Sequence, residues 1–242
     1  MPPTPRRPRR ALQLAVNAVL RSDVAVATRR PVVGLTFDDG PDPVVTPRLL
    51  DLLGSRGARA TFFVVGLRVR AHPGLVARAV AEGHEVAVHG HTHRRLPDLG
   101  AWGQLRDLST ARRSTRAVAG ARPRRYRPPY GEQRPSTVLL AKALRLRGAM
   151  WTASAHDWKD ELDEAAQLAR VWPDLTAGGV LLLHDAAAGE PARDVDPDRA
   201  LRLVTGVLDG LAERQLSAVS LAELAQAGPA VTEPWFDRWL HG

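Results

Sequence analysis

Two adjacent carboxylates, Asp38 and Asp39, stand where a buried strand should end. They follow the apolar run 32–37, and Gly40-Pro41 then interrupts the extended chain. Neighbouring carboxylates repel each other unless a metal ion or a shared proton holds them. The pair therefore indicates metal or acid–base chemistry at the end of a strand.

Three histidines follow a second strand-like run, residues 85–88. His89 and His93 are spaced i, i+4, and with one carboxylate they can supply three ligands to a divalent ion, leaving positions for water and substrate. One aspartate would bind the ion, and the other would act as a base. His91 is a competing ligand, because the i, i+2 spacing places His89 and His91 on one face of a strand. Nitrogen and oxygen ligands suit zinc, and also cobalt or nickel.

The composition limits the kinds of site and shows where the positive charge lies. The chain has 242 residues, enough for one large α/β domain, and it has no cysteine, which excludes disulfides and thiolate metal sites. The net charge is +8, but residues 1–30 contain seven arginines and one aspartate and so carry +6 of it. We expect this basic arm to be solvated, with at most a weak contact with a membrane surface, and we expect no specific nucleic-acid binding.

No stretch of the sequence has the length and apolar character of a membrane span. Residues 11–20 follow the basic cluster and fit an amphipathic first helix. A signal peptide cleaved near Ala25-Val26-Ala27 is the alternative, but Gln13 and Asn17 interrupt its apolar stretch. We therefore expect a cytoplasmic or peripheral monomer, with export through this weak signal as the alternative.

Short apolar runs alternate with amphipathic helical stretches along most of the chain. The strand-like runs are residues 32–37, 60–65, 85–88, 124–127, 149–154, 180–183 and 218–220. The helical stretches are residues 46–56, 73–82, 105–118, 135–147, 162–171 and 197–214. Such alternation predicts a parallel sheet with helices outside, and a closed or nearly closed barrel is favoured over an open sheet.

Polar residues cluster at one end of these predicted strands. Those at or just after a carboxyl end are Asp38, Asp39, His89, His93, Arg127, Asp157 and His184. In a barrel of parallel strands these ends form one rim, where active sites are built. We expect a basic arm or helix over residues 1–30, the barrel over 31–228, and a C-terminal tail over 229–242 that packs on the barrel.

Five motifs, taken in order, resemble those of the polysaccharide deacetylases, carbohydrate esterase family four, over about residues 30–225. They are Thr36-Phe37-Asp38-Asp39-Gly40-Pro41, the pair His89 and His93, Arg127-Pro128-Pro129-Tyr130-Gly131, Asp157-Trp158 and Leu182-Leu183-His184. The resemblance implies a single distorted (β/α) barrel with about seven parallel strands. Two positions depart from the family pattern. Gly90 stands where Ser or Thr is usual, which predicts a less rigid metal loop, and Ser154 stands where many members have a further Asp.

The resemblance also implies roles for the motif residues. Asp39, His89 and His93 would bind the divalent metal, with zinc as the first choice and cobalt or nickel as alternatives. Asp38 would be the base that takes a proton from the attacking water, and His184 would be the acid that protonates the leaving amine.

Six further residues are expected around this centre. Arg127 and Asp157 would pair with each other and restrain the base. Because proline has no N–H, Tyr130 offers the first free backbone donor after Arg127, and it could point at the developing oxyanion. Pro129, Trp158 and Leu182 would bind substrate, since the acetyl methyl group needs apolar walls.

The function this predicts is a metal-dependent hydrolase that removes the acetyl group from an N-acetylated amino sugar or glycan and releases acetate. The same site could cleave an O-acetyl ester on xylan-type glycans or open a cyclic amide or ureide. An inactive glycan-binding barrel is the non-enzyme alternative, as is a polyanion-binding protein that uses the basic arm.

Overall fold

The computed structural model describes residues 20–187 and 196–235. The helix expected over residues 11–20 lies almost entirely outside the described residues, as do Phe236 and Trp239 of the tail. No helix in the described ranges is both long and apolar enough to cross a membrane.

The strands form one parallel sheet and a separate antiparallel ribbon. They are β1 Ser22–Val26, β2 Val32–Asp38, β3 Thr61–Val64, β4 Glu85–Val88, β5 Arg125–Tyr126, β6 Arg147–Gly148, β7 Ala153–Ser154, β8 Val180–His184, β9 Ser217–Val219 and β10 Ala230–Glu233. Seven strands follow the spatial order β6-β5-β4-β3-β2-β8-β7, and β9 pairs with the start of β2. The sheet is curled, and its end strands β6 and β7 do not pair with each other in the described ranges, so the barrel is incomplete.

The helices lie between successive strands. They are α1 Val45–Ser55, α2 Gly66–Ala71, α3 Pro73–Ala81, α4 Ala101–Ala119, α5 Pro135–Ala143, α6 Glu164–Val171, α7 Pro197–Glu213 and α8 Leu221–Leu224. Short 3₁₀ turns occur at Leu96–Asp98 and Pro129–Gly131. The predicted barrel of about seven parallel strands with outer helices is therefore confirmed.

The alternation of side chains along β2 shows how the barrel is filled. Val33, Leu35 and Phe37 are buried in the core cluster that contains the apolar residues of α1 and α7. Gly34, Thr36 and Asp38 point to the opposite face, as the two-residue period of a strand requires. At Gly34 an added Cβ would lie 2.6 Å from a Leu221 methyl group, so the absence of a side chain lets α8 close one end of the barrel. Asp38 lies on the same face of β2, at the opposite end of the barrel from α8.

Two predicted element boundaries are wrong. The helical stretch expected over residues 135–147 ends at Ala143, and the apolar run 149–154 contributes only the short β7. The reason is that Arg145 takes a left-handed backbone conformation, φ 57°, and turns the chain into β6. Gly148, which directly follows the predicted helix, is therefore a residue of β6.

The antiparallel ribbon joins the two ends of the described chain. β1 lies inside the segment expected to be an arm, and it pairs with β10 of the expected tail. Beyond β10, Trp235 is buried with Val24 and Met150, and its indole Nε1 donates to the carbonyl of Gly131 at 2.9 Å.

Candidate active site

The predicted catalytic residues meet at the carboxyl ends of the parallel strands. Asp38 is the last residue of β2 and lies in register with His184 at the end of β8. His89 follows β4, and Arg127 follows β5. Because all these strands run the same way, their polar side chains gather at one rim of the barrel.

Asp39, His89 and His93 form a compact group of potential metal ligands. Asp39 Oδ1 lies 3.2 Å from His89 Nε2 and 2.9 Å from His93 Nε2, and the three ligand atoms lie within 4.8 Å of one another. The separations of 2.9 and 3.2 Å are close to those expected of two ligand atoms that bind one ion at ~2.0–2.2 Å. Both Asp39 oxygens are buried and have no well-aligned hydrogen-bond donor among the described residues. The donor set therefore fits a divalent cation, which would satisfy these oxygens.

The surroundings of His89 and Asp39 favour the same ion. His89 Nδ1 donates to the Arg127 carbonyl oxygen at 2.9 Å, which leaves the Nε2 lone pair directed toward Asp39. Metal-binding histidines are commonly held in this way. Burial alone would raise the pKa of Asp39, but the imidazoles of His89, His93 and His184 around it hold this pKa far below its usual range, so the carboxylate is ionised.

His91 is not part of this group. Its Nδ1 is buried beside Gly66 at the start of α2, where any added Cβ would collide with the imidazole. The metal-ligand group found among the described residues contains His93 and not His91. This geometry favours His93 over His91 as the second histidine ligand.

Arg127 contacts Asp38, the proposed base, directly. Its Nη1 donates to Asp38 Oδ1 at 2.7 Å and to Thr36 Oγ1 at 2.9 Å. Its Nε and Nη2 donate to the carbonyl oxygens of Ala149 and Met150. The guanidinium is completely buried and lies over the Phe63 ring. The expected pair between Arg127 and Asp157 is therefore wrong, because every guanidinium nitrogen is already bonded elsewhere.

Asp157 instead holds the proposed acid. Its Oδ1 lies 2.8 Å from His184 Nδ1, and its Oδ2 accepts the backbone N–H of His184 at 2.7 Å. Burial alone would lower the pKa of His184, but the charge of Asp157 and the hydrogen bond to it raise this pKa to about 10. His184 is thus protonated at neutral pH, and its Nε2 is the nitrogen not engaged by Asp157.

One cavity of about 640 Å³ connects these groups. The predicted site residues that line it are Asp38, Asp39, His89, His93, Tyr130, Asp157, Trp158, Leu182 and His184. The Trp158 ring stands edge-on to His184 with ring centroids 5.2 Å apart, while Leu182 is almost completely buried in the wall. Tyr130 takes a left-handed conformation, φ 61°, and its ring packs against His93 at 4.8 Å.

Pro129 has a different position from the one expected. It is buried and is not among the described residues that line the cavity. A Cβ added at Gly90 would lie 3.2 Å from Pro129 Cγ and 3.0 Å from Asp107 Oδ2, so Pro129 packs under the loop that carries the histidines. The prediction that Pro129 binds substrate is therefore replaced by a supporting role.

Asp107 orders the histidine loop, although no pattern in the sequence indicated this role. This α4 residue accepts hydrogen bonds from the backbone N–H of His91 at 2.7 Å, and from the backbone N–H and hydroxyl of Thr92 at 3.2 Å and 2.9 Å. Gly90 has φ 74°, a conformation that glycine adopts without strain. The loop at Gly90 is therefore held from α4, without the Ser or Thr that the family usually has there.

Asp185 was also missed, although it directly follows the fifth motif. It is buried, and Thr46 Oγ1 donates to its Oδ2 at 2.6 Å. Burial raises its pKa to about 7. Its carboxyl group fills the space beside Gly40, where any Cβ would collide with it. Asp185 thus supports the turn that follows Asp38 and Asp39.

Comparisons with known proteins agree with this geometry. The sequence profile of polysaccharide deacetylases matches residues 25–149. A chitooligosaccharide deacetylase of Sinorhizobium fredii is 35% identical over 214 residues, which cover 84% of this chain and 96% of that protein. A family 4 carbohydrate esterase from Streptomyces lividans, solved in complex with acetate, has a TM-score of 0.69 and 30% identity over 78% of this chain and 92% of that chain.

The structure of the peptidoglycan deacetylase PdaC from Bacillus subtilis gives the same fold. Its TM-score is 0.69, with 29% identity over 82% of this chain and 92% of that chain. The profile covers about half of the chain, and the rhizobial relative shares more than a third of its residues along nearly its whole length. The resemblance of the five motifs is thereby confirmed, and the chain belongs to the polysaccharide deacetylase family, the carbohydrate esterases of family 4.

Proposed function

We propose that the protein is a metal-dependent deacetylase that hydrolyses the N-acetyl group of an amino-sugar glycan and releases acetate. One observation carries this proposal: the group of Asp39, His89 and His93 lies in one cavity with a base candidate, Asp38, and an acid candidate, His184. Amide hydrolysis requires both a proton acceptor for water and a proton donor for the amine.

Asp39, His89 and His93 would hold the divalent ion, with zinc as the first choice and cobalt or nickel as alternatives. Such an ion supplies Lewis-acid polarisation of the acetyl carbonyl and lowers the pKa of water. The side chains around these ligands would accept and donate the protons and contact the acetyl group.

Asp38 has the position of a general base. Its Oδ1 is occupied by Arg127, while its Oδ2 lies 3.7 Å from His89 Nε2 and faces the ligand group. Oδ2 would take a proton from the water that attacks the acetyl carbon. Arg127 favours the ionised carboxylate and fixes its orientation, because its guanidinium is held on the opposite side by two backbone carbonyls.

His184 has the position of a general acid. Its Nδ1 faces Asp157, so its Nε2 is the atom that would give a proton to the sugar nitrogen as the carbon–nitrogen bond breaks. The raised pKa keeps this proton on the imidazole at neutral pH. The backbone N–H of Tyr130 would stabilise the oxyanion, and Trp158 and Leu182 would contact the acetyl group.

The relatives support a glycan substrate. The Sinorhizobium protein is a chitooligosaccharide deacetylase, and PdaC is a peptidoglycan deacetylase. The Streptomyces protein is a carbohydrate esterase, so acetyl esters on xylan-type glycans are the alternative substrate class.

The test is acetate release from N-acetylglucosamine oligomers, peptidoglycan and acetyl-xylan, with and without a chelator. We expect release from at least one N-acetylated glycan, loss of release with chelator, and recovery when a divalent ion is added back. Asp38→Asn is the matched negative control. Release from acetyl-xylan alone would replace the amide proposal with the ester one. No release from any substrate, or full activity in chelator, would overturn the proposal.

A further inference from the structure

A tryptophan outside the five motifs is bonded to the turn that carries the proposed oxyanion donor. Trp235 follows β10 and is almost completely buried. Its indole Nε1 donates to the carbonyl oxygen of Gly131 at 2.9 Å, and its ring packs on the Trp151 ring with centroids 4.9 Å apart. Gly131 and Trp151 both line the active-site cavity. Trp235 is not among the described lining residues, so it supports this wall of the cavity from outside.

The turn over residues 128–131 has an unusual backbone conformation. It is closed by a hydrogen bond of 2.9 Å from the N–H of Gly131 to the carbonyl oxygen of Pro128. Tyr130, its third residue, has φ 61° and ψ 9°, which are close to the values that a type II turn has at this position. Glycine is favoured there, and another residue adopts this left-handed conformation only where the surrounding structure stabilises it. The contacts of the turn therefore decide whether it keeps this form.

The form of the turn sets the direction of the Tyr130 N–H. The peptide group between Pro129 and Tyr130 faces one way in a type II turn and the opposite way in a type I turn, whose third residue has φ of about −90°. A type I turn is compatible with most residues, so it is the competing form for this segment. A change to that form would turn the N–H away from the position proposed for the oxyanion.

Contacts on both sides of Tyr130 stabilise the observed form. The Tyr130 ring packs on the imidazole of His93, with ring centroids 4.8 Å apart. The next residue, Gly131, lies so close to the Trp151 ring that an added Cβ would be 2.6 Å from it. The carbonyl group of Gly131 is fixed by the indole of Trp235. Because this peptide group directly follows the left-handed tyrosine, the hydrogen bond restricts rotation of the turn.

We propose that Trp235 is a positioning residue for the hydrolysis. Its indole N–H, acting through the Gly131 carbonyl, keeps the 128–131 turn in the form that directs the Tyr130 N–H at the developing oxyanion. This inference rests on the proposed deacetylase function. The oxyanion forms only when water has added to the acyl carbon, so Trp235 should affect the rate of reaction of bound substrate and not the binding of substrate.

The first test removes the indole donor and keeps an aromatic ring. Trp235→Phe should lower kcat on an N-acetylated oligomer about tenfold and leave KM within about twofold of the wild type, as expected when an interaction made only in the transition state is lost. Trp172→Phe is the matched control, because Trp172 packs on α7 and Arg214 outside the cavity lining and should keep kcat. A raised KM with unchanged kcat, or equal kcat in the two variants, would overturn the inference.

Thermal unfolding of both variants checks that they fold. If Trp235→Phe does not fold, the sulfur analogue of tryptophan, benzothienylalanine, is placed at position 235. It keeps the shape of the indole and lacks only the N–H, so the same loss of kcat is expected. Full kcat with this analogue would mean that the ring packing suffices, and would overturn the inference.

The second test relieves the strain at the left-handed residue. Glycine adopts this conformation without strain, so the turn needs less support in the Tyr130→Gly background. Relative to Tyr130→Gly alone, adding Trp235→Phe should lower kcat by about twofold or less, because two substitutions that act on one element are not additive. An equal loss in both backgrounds would mean that Trp235 acts on something other than this turn, and would overturn the inference.

A structural measurement decides the position of the turn independently of turnover. In a type II turn the Hα of Pro129 lies close to the N–H of Tyr130 and gives a strong nuclear Overhauser effect, which is weak in a type I turn. We expect a strong signal in the wild type and in Trp172→Phe, and a weaker one in Trp235→Phe. An undiminished signal in Trp235→Phe would overturn the inference. If the wild type hydrolyses no oligomer, the proposed function fails, and this signal alone decides whether Trp235 holds the turn.

Discussion

Arg127 Nη1 donates a 2.7 Å hydrogen bond to Asp38 Oδ1, and both side chains lie almost completely out of contact with water. The bond occupies one oxygen of the carboxylate and leaves the other facing the potential metal ligands. A buried ion pair of this kind holds a charged base in one orientation, and loss of either partner leaves the other charge uncompensated.

Asp38→Asn should therefore retain the metal and lose turnover. The amide keeps the size of the carboxylate but cannot accept a proton, and loss of a positioned base typically lowers the rate ~10²–10⁴-fold. The measurement is kcat on an N-acetylated oligomer together with metal content by elemental analysis. Asp39→Asn is the contrasting variant, because it should lose metal and activity together. Near-normal turnover in Asp38→Asn would remove this residue from the mechanism.

The three histidines of one loop provide an internal control for metal binding. His89→Ala and His93→Ala should lose the divalent ion, because each removes a nitrogen close to Asp39. His91→Ala should retain it, since that imidazole faces α2. Metal content of the three purified variants tests this directly. Unchanged content in His93→Ala with loss in His91→Ala would reverse the assignment.

Asp107 should control metal affinity without taking part in the reaction. Its carboxylate accepts three hydrogen bonds from the backbone and hydroxyl of the histidine loop, and removing such support typically lowers metal affinity 10–100-fold. For Asp107→Ala we expect weaker metal binding, with kcat restored when the ion is in excess. Asp98→Ala, which alters an exposed carboxylate just before α4, is the control. Activity that excess metal does not restore would argue against a purely supporting role.

Much of the site could be predicted from the sequence because its residues stand at strand ends. A parallel sheet brings these ends together whatever its detailed register, so the sequence alone places Asp38, His89, Arg127 and His184 at one rim. Which residue pairs with which could not be predicted. The partners of Arg127 and Asp157 depend on side-chain directions across several strands, and sequence spacing contains no information on those directions.

The role of Asp107 and the pairing of β1 with β10 also could not be predicted, because both depend on contacts between residues far apart in the sequence. Asp107 reaches the histidine loop from a separate helix, and β1 pairs with β10 across almost the whole length of the chain. The helix α5 ends before the predicted residue 147 because an arginine in the left-handed conformation, Arg145, turns the chain there. Local propensity favours glycine at such a position, but the surrounding packing overrides it.

The pair of Asp157 and His184 predicts a pH dependence with a definite sign. The pKa of His184 in the folded protein, about 10, lies above its ordinary value of 6.5. The stabilisation from this pair is therefore complete below about pH 6.5 and is lost as the pH rises through about 10. Asp157→Asn lacks the negative charge that raises the pKa of His184. The alkaline limb of the activity profile should therefore move to lower pH. Profiles of kcat/KM for both proteins test this, and coincident alkaline limbs would contradict it.

The role of His184 as an acid can be separated from a role in shaping the site by changing the leaving group. An amine leaves poorly unless it is protonated, whereas the phenolate of an activated aryl acetate leaves without an acid. His184→Ala should therefore lower the rate of N-deacetylation much more than the rate of aryl acetate cleavage. Both substrates are measured with the same enzyme preparation, so differences in folding or metal content cancel in the ratio.

Trp158→Ala serves as the control for site shape, since the Trp158 ring packs against His184 but carries no titratable group. This variant should lower the rates on both substrates to a similar extent. Equal losses on the two substrates in His184→Ala would mean that the imidazole binds or orients the acyl group and does not donate the proton.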